Sequence, residues 1–380
     1  MNKKPLFTLF LIVATELIGF GLIIPVLPQI GLKFGATGFW LGFLMAAYSI
    51  AQFVGAPVLG SLSDRYGRKP ILMISQVGTV FSYILLAFSG SYLLFLCARL
   101  LDGFTGGNIA IARAYITDVT TKENRTKGMA VIGIGFGVGF ILGPALGSIL
   151  YSSGSHVTAA LVAGSLSLTA CILTGILLKE PEKKQAITHR AFSLAIWGKA
   201  LSHPVVQVIC FVQFIYMTMF SGFETTFSVF THTLFGYTER QNSLVFLYVG
   251  LLLLVVQGFI SRKASLKTKG MIVAGLAFTG ISLIILSVAG HVWHILAALA
   301  VLSVGGAIVT SYLPSFLSSN IDTNAEGEIM GIYEAVGSLS RITGPLLASS
   351  VFFALGQYSY LIFGVILLGI AMLFRAQKRV

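Results

Sequence analysis

Twelve apolar runs, each long enough to cross a lipid bilayer, take up most of this 380-residue chain. About 20 apolar residues let a helix span the hydrocarbon core, where only helices and closed barrels satisfy their backbone polar groups. Only 10% of the residues are charged, whereas about 25% are charged in soluble domains. The runs therefore predict an all-α membrane protein with twelve transmembrane helices, at residues 6–28, 40–60, 71–90, 93–117, 128–150, 157–178, 205–231, 243–261, 271–288, 293–316, 329–353 and 358–374.

The distribution of lysine and arginine predicts how the helices are oriented. If the N-terminus is cytoplasmic, 20 of the 25 basic residues fall in cytoplasmic segments, and only Lys33 and Arg240 lie in segments on the opposite side. By the positive-inside rule both termini are cytoplasmic, and we expect a multi-pass protein of the inner (cytoplasmic) membrane. Because topology accounts for the net charge of +12, no nucleic-acid partner is expected.

One long polar connection, residues 179–204, separates the first six predicted spans from the last six. A short motif recurs on both sides of it, because Gly143-Pro144 in the fifth span returns as Gly344-Pro345 in the eleventh. We therefore expect three parts: an N-terminal six-helix bundle at 1–178, a cytoplasmic linker at 179–204 and a C-terminal six-helix bundle at 205–380.

The segment between the second and third spans, Gly60 to Leu72, reads GSLSDRYGRKPIL. Each of its charges would cost roughly 2.5 to 3.5 kcal/mol at the centre of a membrane helix, so the segment must turn at the membrane surface. It resembles the signature loop of the major facilitator superfamily (MFS) of secondary transporters, which implies two six-helix bundles with the substrate site at the bilayer midplane. The resemblance also implies a cytoplasmic latch at Gly60, Asp64, Arg65, Gly67, Arg68, Lys69 and Asp118.

The first and fourth spans resemble transport motifs of the same superfamily. The run ELIGFGL that begins at Glu16 is similar to the opening helix of tetracycline-type drug:proton antiporters, where an acid lies in the central cavity. The run RLLDGFTGG that begins at Arg99 resembles a membrane-embedded arginine motif implicated in proton transfer. The resemblance implies that Glu16, Arg99 and Asp102 couple transport to protons.

The fifth span resembles the signature of antiporter members of the superfamily, although Ala130 and Ser148 stand where that signature has glycine. Glycines four residues apart let two helix backbones approach closely, and a proline can kink a helix. Two interpretations stay open: tight helix packing, or a hinge between the two halves. The residues concerned are Gly139, Gly143, Pro144 and Gly147.

Seven ionisable side chains lie within the predicted spans, where an unpaired charge costs about 3 kcal/mol. They must therefore face water or one another. Helical spacing predicts that Arg99, Asp102 and Arg113 share one face of the fourth helix. Glu334 and Arg341, seven residues apart, should likewise share a face of the eleventh. We take as candidates for substrate binding Glu16, Arg113, Glu224, Glu334 and Arg341.

Glu16 lies near the middle of its span, where desolvation disfavours a charged carboxylate. We hypothesise that Glu16 binds and releases the coupled proton, and a structural ion pair with an arginine is the alternative. Arg113 and Arg341 depart from the tetracycline-type pattern, and the ninth span lacks the acid of that pattern. Arginine suits the recognition of carboxylate or phosphate, although Arg113 could instead pair with Glu334 or Asp102.

Three functions fit these observations. The first is proton-coupled efflux of a small amphiphilic drug or metabolite by alternating access. The second is carriage, inward or outward, of an anionic or zwitterionic metabolite such as an organic acid or a carboxylate siderophore. The third is a nontransporting membrane receptor or scaffold.

We do not expect an enzyme, because the six histidines lie in loops or near span ends and no GxxxxGK[ST] segment occurs. No cofactor or metal is expected either. The expected partners are a small-molecule substrate, protons and the lipid bilayer, and the chain is expected to act as a monomer.

Overall fold

The computed structural model describes residues 3–119, 135, 138–139, 141–151, 156–181, 203–262, 268–320 and 326–377. Within these ranges the chain is almost entirely helical and contains no β-strand. A 3₁₀ helix, Gly356–Tyr358, precedes the last α-helix. The α-helices are α1 Lys3–Ile23, α2 Leu27–Lys33, α3 Gly38–Tyr66, α4 Arg68–Ala87, α5 Tyr92–Thr105, α6 Asn108–Val119, α7 Ile141–Leu150, α8 His156–Leu177, α9 Pro204–Phe235, α10 Glu239–Arg262, α11 Thr268–Ser287, α12 Val292–Ser319, α13 Glu326–Leu355 and α14 Ser359–Ala376.

Each of the twelve predicted spans coincides with helix in the described part of the chain. Nine helical stretches there are long and apolar enough to cross a membrane, and the bent pair α1 and α2 makes a tenth. One stretch, Ile329–Ala376, contains two predicted spans separated by the 3₁₀ helix, and α7 is the longest described part of the fifth span. The prediction of an all-α membrane protein with twelve transmembrane helices is therefore confirmed.

Two spans are interrupted where the sequence predicted continuous helix. The first bends by 45° between α1 and α2, and Pro28 stands in the first turn of α2, where its missing N–H costs no helical hydrogen bond. The fourth breaks into α5 and α6 at Gly106-Gly107. There the Gln52 side-chain amide donates to the Gly106 carbonyl oxygen (3.1 Å), which compensates for the interrupted helix.

The described chain forms two compact units. One comprises Met1–Ala36, Ala47–His189 and Thr231–Leu247, and the other comprises Thr37–Ala46, Arg190–Phe230 and Tyr248–Val380. The predicted boundary at 179–204 stays a prediction, since residues 182–202 lie outside the described ranges.

In the first unit, buried apolar side chains of α1, α3, α4, α6 and α8 form one core, whose members run along the sequence from Leu9 to Leu178, just after α8. Helices α3 and α5 approach closely through glycine. A Cβ added to Gly103 would clash with the Tyr48 carbonyl, and one added to Gly55 would clash with that of Phe104. This contact places Tyr48 against the helix that carries Arg99.

The second unit is held together around α9. Its Phe223, Phe227 and Phe230 rings follow one another in tilted contacts, with centroids 5.1 and 6.2 Å apart, and Phe230 meets Tyr360 of α14 edge-on at 5.3 Å between ring centroids. Helix α13 packs on α9 through Gly344, where an added Cβ would lie 2.6 Å from the Thr218 carbonyl oxygen. Aromatic burial and close backbone approach thus fix the helices that carry Glu224 and Arg341.

Candidate functional site

Glu16 lies half-buried on α1, and its carboxylate has a partner on another helix. The Ser167 hydroxyl of α8 donates to Glu16 Oε1 at 3.1 Å. The Asn108 amide, at the start of α6, and the Asp102 carboxylate both lie near enough to interact with Glu16 electrostatically. The proton-coupling candidate therefore lies among polar side chains of three other helices.

Arg99 and Asp102 form a buried ion pair within α5. Arg99 Nη1 lies 3.1 Å from Asp102 Oδ2, and the two side chains are 5% and 10% exposed. The Arg99 guanidinium also lies over the Tyr48 ring, 4.8 Å from its centroid, and Ser82 donates a weak hydrogen bond of 3.4 Å to Asp102. Each charge thus compensates the other, which lowers the cost of keeping both in the membrane.

One buried donor beside these carboxylates lacks a hydrogen-bond partner among the described residues: Arg99 Nε. Arg99 as a whole is 4% exposed. Buried polar groups are nearly always paired, with protein or with ordered water. This donor therefore marks a place where water or a polar substrate group would bind.

The prediction that Arg113 shares a face with Arg99 and Asp102 is wrong. Arg113 is exposed, whereas Arg99 and Asp102 are buried. Helical spacing counts through an unbroken helix, but the turn at Gly106-Gly107 separates α5 from α6 and changes the register. Asp102 pairs with Arg99, so it is not the partner of Arg113.

In the second unit, Glu224 of α9 and Arg341 of α13 are both half-buried and attract each other electrostatically. No direct ion pair joins them among the described residues, and Arg341 Nη2 donates instead to Ser338 Oγ at 3.1 Å. Glu334 also lies on α13 but is exposed. A buried hydrogen bond of 2.8 Å, from the Tyr333 hydroxyl to Gln213 Oε1, ties α13 to α9 nearby.

The signature loop is a network centred on Arg68. Its guanidinium contacts Asp64 at 2.6 Å, Asp118 at 2.8 Å and the Ser63 hydroxyl at 2.7 Å. Gly67, with a φ of 106°, makes the turn between α3 and α4, a conformation that favours glycine. The structure thus brings together four of the predicted latch residues, from α3, the turn, α4 and the end of α6.

The remaining latch candidates lie near this network. Lys69 Nζ donates to the Gly175 carbonyl oxygen at 2.7 Å, and the Arg65 guanidinium lies 5.3 Å from the centroid of the Tyr66 ring. Gly60 has open space where a side chain would begin.

Glu180 joins the network around Arg68, although it was not predicted from the sequence. Its carboxylate accepts the backbone N–H groups of Arg68 at 2.5 Å and Lys69 at 2.9 Å, at the N-terminus of α4. Carboxylates stabilise helix N-termini through such bonds and through the helix dipole. The only signal in the sequence is that an acid follows the sixth span, and it does not indicate which helix the acid caps.

The glycines of the fifth span pack against α1, the helix that carries Glu16. A Cβ on Gly139 would clash with Leu17, and one on Gly143 would lie 2.7 Å from the backbone carbon of Gly21. At Gly147 the nearest atom would be Ser243 Oγ, at 3.2 Å. Pro144 is buried in the same helix. The close approach of two backbones is the tight packing that the glycine spacing indicated.

An ion pair at the opposite end of the first unit was also missed. Lys33, in the last turn of α2, contacts Glu239 of α10 at 2.8 Å. The two residues are 206 positions apart, so no local pattern indicates the pair. Among the described residues no group of three His, Cys, Asp or Glu side chains is placed to hold a metal ion.

Residues 9–345 of the chain match the family model of the Major Facilitator Superfamily. The chain belongs to this superfamily. It is therefore a multi-pass membrane protein with the MFS fold, and its superfamily consists of transporters.

Three similar proteins give this assignment detail. The class H tetracycline resistance protein of Pasteurella multocida is 30% identical over 371 residues, covering 93% of this chain and 90% of that protein. The crystal structure of the human organic anion transporter MFSD10 is 25% identical with a TM-score of 0.73, covering 98% of this chain and 99% of its own. A bacterial homologue of the human lysosomal transporter Spinster has a TM-score of 0.80 over 97% of this chain and 96% of its own, and its 11% identity shows the fold alone.

Proposed function

We propose that this MFS protein is a secondary active carrier that exports a small amphiphilic drug or metabolite in exchange for protons, by alternating access. The observation that carries the proposal is a carboxylate inside the membrane, Glu16, bonded to Ser167 and lying near Asp102. The similarity of the whole chain to a tetracycline resistance protein supports the substrate class.

The chemistry of exchange follows from the partners of Glu16. The ionised carboxylate accepts the Ser167 hydroxyl and can attract a cationic or hydrogen-bond-donating substrate group. A proton on Glu16 removes that attraction and releases the group. Because Arg99 and Asp102 neutralise each other, Glu16 is the carboxylate of this cluster that forms no ion pair within the described part of the chain. Proton and substrate would therefore compete for Glu16.

Transport in everted membrane vesicles tests this function. A panel of fluorescent amphiphilic cations and tetracyclines is offered with an imposed proton gradient and again after a protonophore has removed it. We expect uptake of at least one compound to depend on the gradient. Equal uptake with and without the gradient, in vesicles that contain folded protein, would contradict proton coupling.

A second candidate substrate class is an organic anion. The arginine in the second unit, Arg341, is half-buried within a membrane helix, and one structural relative is an organic anion transporter. Arginine binds carboxylate through two parallel hydrogen bonds and does not lose its charge. None of the three relatives described above supports a carboxylate siderophore.

Binding of labelled organic anions distinguishes this alternative. We expect Arg341→Ala to weaken anion binding and Arg341→Lys to restore it in part, if anions are the substrates. Binding that is unchanged in Arg341→Ala would contradict the anionic alternative. The exchange of a small amphiphilic drug or metabolite for protons would then be the remaining proposal.

We further propose that the carrier lies in the inner membrane as a monomer, with both termini in the cytoplasm, and that it is not an enzyme. The basic residues of the α3–α4 turn support this orientation, because short cytoplasmic loops carry an excess of lysine and arginine. Accessibility of a cysteine placed at the C-terminus to a membrane-impermeant maleimide tests it. A nontransporting receptor is contradicted by any substrate accumulation in purified proteoliposomes.

A further inference from the structure

A small gap in the second unit lies beside Gly337, where α13 packs against α9. Gly337 is buried, and a Cβ added to it would meet Gln213 Nε2 at 3.3 Å and Arg341 Nη1 at 4.0 Å. Both of these nitrogen atoms carry N–H groups. The gap is therefore bordered by hydrogen-bond donors from two different helices.

The Gln213 side chain is held in place by Tyr333. Gln213 is 8% exposed, and its Oε1 accepts the Tyr333 hydroxyl at 2.8 Å. Because the amide oxygen is engaged in this way, the amide nitrogen is the atom that faces the gap, and it donates to no acceptor among the described residues. A buried donor without an acceptor is costly, so an acceptor is expected to bind there.

The Arg341 guanidinium is oriented by a contact within α13. Arg341 Nη2 donates to Ser338 Oγ at 3.1 Å, while Nη1 lies toward the gap. Glu224 attracts Arg341 electrostatically, but the two form no ion pair in the described part of the chain, and Glu334 of α13 is exposed. Since a guanidinium has five N–H groups, Arg341 keeps donors for a ligand.

The chemistry of the gap favours a carboxylate. Two donors that face one space repel each other unless an acceptor lies between them. A carboxylate supplies two acceptor oxygens and a single negative charge, which matches one guanidinium and one neutral amide. The second charge of a phosphate monoester would stay unpaired there, and burying an unpaired charge is costly.

We propose that Gln213, Gly337 and Arg341 form a subsite that binds the carboxylate of an amphiphilic organic acid. Arg341 supplies the charge, Gln213 the second donor and Gly337 the space. The inference rests on the proposed carrier function, because it takes the bound acid to be the transported molecule. It adds Gln213 and Gly337 to the single residue, Arg341, that the sequence indicated for anions.

Equilibrium dialysis of tritiated naphthoate against the purified full-length protein in detergent tests the subsite. Naphthoate is an amphiphile with one carboxylate, and naphthamide is its neutral counterpart of nearly the same shape. We expect saturable binding of naphthoate and at least about tenfold weaker binding of naphthamide, because hydrogen bonds to a charged group are the stronger ones.

Two substitutions alter the subsite without removing Arg341. Gln213→Glu can still accept the Tyr333 hydroxyl but replaces the donor with a carboxylate, and it should weaken naphthoate binding by more than about tenfold. Gly337→Ala fills the gap without changing charge and should also weaken binding, since its Cβ requires the Gln213 amide to shift by only a few tenths of an ångström.

The chain offers a matched control for each substitution. Gln207→Ala changes an exposed glutamine on α9, and Gly331→Ala changes an exposed glycine on α13 whose added Cβ would meet nothing within 4 Å. Both should bind naphthoate as the unsubstituted protein does. Glu224→Gln removes the negative charge near Arg341 and should bind naphthoate at least as tightly. If Gln213→Glu does not fold, Gly337→Ala and Glu224→Gln carry the test.

The proposal is overturned if folded Gln213→Glu and Gly337→Ala both bind naphthoate as tightly as the unsubstituted protein does. Absence of saturable naphthoate binding, equal binding of naphthamide, or weaker binding in folded Glu224→Gln would also overturn it. Dialysis needs no proton gradient, so these results are separate from those of the vesicle assay. A carrier that exchanges protons for other compounds but does not bind naphthoate would refute the subsite alone.

Discussion

At the scale of single residues, the buried charges of the first unit divide into a compensated pair and a carboxylate with a hydroxyl partner. Arg99 and Asp102 compensate each other at 3.1 Å, and Glu16 accepts from Ser167. A paired charge mainly serves structure, whereas a carboxylate without a counter-ion can change its protonation at lower cost. We therefore expect Asp102 to serve mainly structure and Glu16 to bind and release the proton.

We expect the Arg99–Asp102 ion pair to stabilise the folded protein against unfolding. Asp102→Asn leaves Arg99 as a buried charge without its counter-ion, which typically costs about 3 to 5 kcal/mol. Thermal unfolding of the purified protein in detergent measures the loss. Asp64→Asn is the control, because Asp64 is 48% exposed and its loss should cost far less. Equal unfolding midpoints for the two variants would contradict the structural role of the pair.

The sequence predicted which charges lie in the membrane but not all of their neighbours. Composition and hydropathy suffice for the first, because a charge inside an apolar run is visible directly. Ser167 is 151 residues from Glu16, and the turn that separates Arg113 from Asp102 lies at a glycine pair, Gly106-Gly107, inside an apolar run long enough to be taken for one continuous helix. Long-range partners and small breaks in a helix therefore had to come from the structure.

At the scale of the elements, the latch depends on how α4 begins. The Gly67 turn lets the Arg68 side chain reach both Asp64 and Asp118, while Glu180 accepts the first N–H groups of α4. The family resemblance predicted the aspartates and basic residues of this network. It did not predict Glu180, which is 112 residues from Arg68.

Neutralising the latch should affect transport more than binding. In Asp64→Asn one half-exposed contact to Arg68 is lost, worth up to about 1 kcal/mol, so we expect the transport rate to fall by up to about fivefold. Substrate affinity should stay nearly unchanged, as measured by equilibrium binding to the purified protein. Ser61→Ala, an exposed position on the same helix, should alter neither quantity. Loss of binding in Asp64→Asn would contradict a latch.

The glycines of α7 and its flank should tolerate alanine in a graded order. An added Cβ clashes with Leu17 at Gly139, lies 2.7 Å from the Gly21 backbone at Gly143 and lies 3.2 Å from a Ser243 side-chain atom at Gly147. We expect Gly139→Ala and Gly143→Ala to destabilise the protein by about 1 to 3 kcal/mol, and Gly147→Ala by less. Thermal unfolding of the three variants measures this order.

If the glycines of α7 form a hinge, their substitution should affect the transport rate as well as stability. If the helix also bends during transport, Gly147→Ala should slow transport although it leaves stability nearly unchanged. Unaltered transport in that variant leaves packing as the role of the glycines, and equal stability of all three variants would contradict the packing described above.

At the scale of the whole molecule, the twelve apolar runs determine the fold because the bilayer permits few alternatives. Their existence and order were predictable, whereas their ends were less so. The first span continues beyond Pro28 to Lys33, since proline is favourable in the first turn of the new helix α2. The signature loop and the glycine motifs predicted the superfamily, and the family comparison confirmed it.

The central claim is that Glu16 exchanges a proton for substrate. The most direct measurement is substrate-driven proton movement in proteoliposomes, followed with a trapped pH indicator, for the unsubstituted protein, Glu16→Gln and the control Ser165→Ala. Ser165 is exposed on α8, and within the described ranges its hydroxyl bonds to the Leu161 carbonyl of the same helix, so it shares the helix of Ser167 but not its contact with Glu16. We predict that substrate moves protons through the unsubstituted protein and Ser165→Ala. Glu16→Gln, which mimics the protonated carboxyl, should bind substrate more weakly and move no protons even at saturating substrate. Undiminished substrate-driven proton movement in Glu16→Gln would contradict the account.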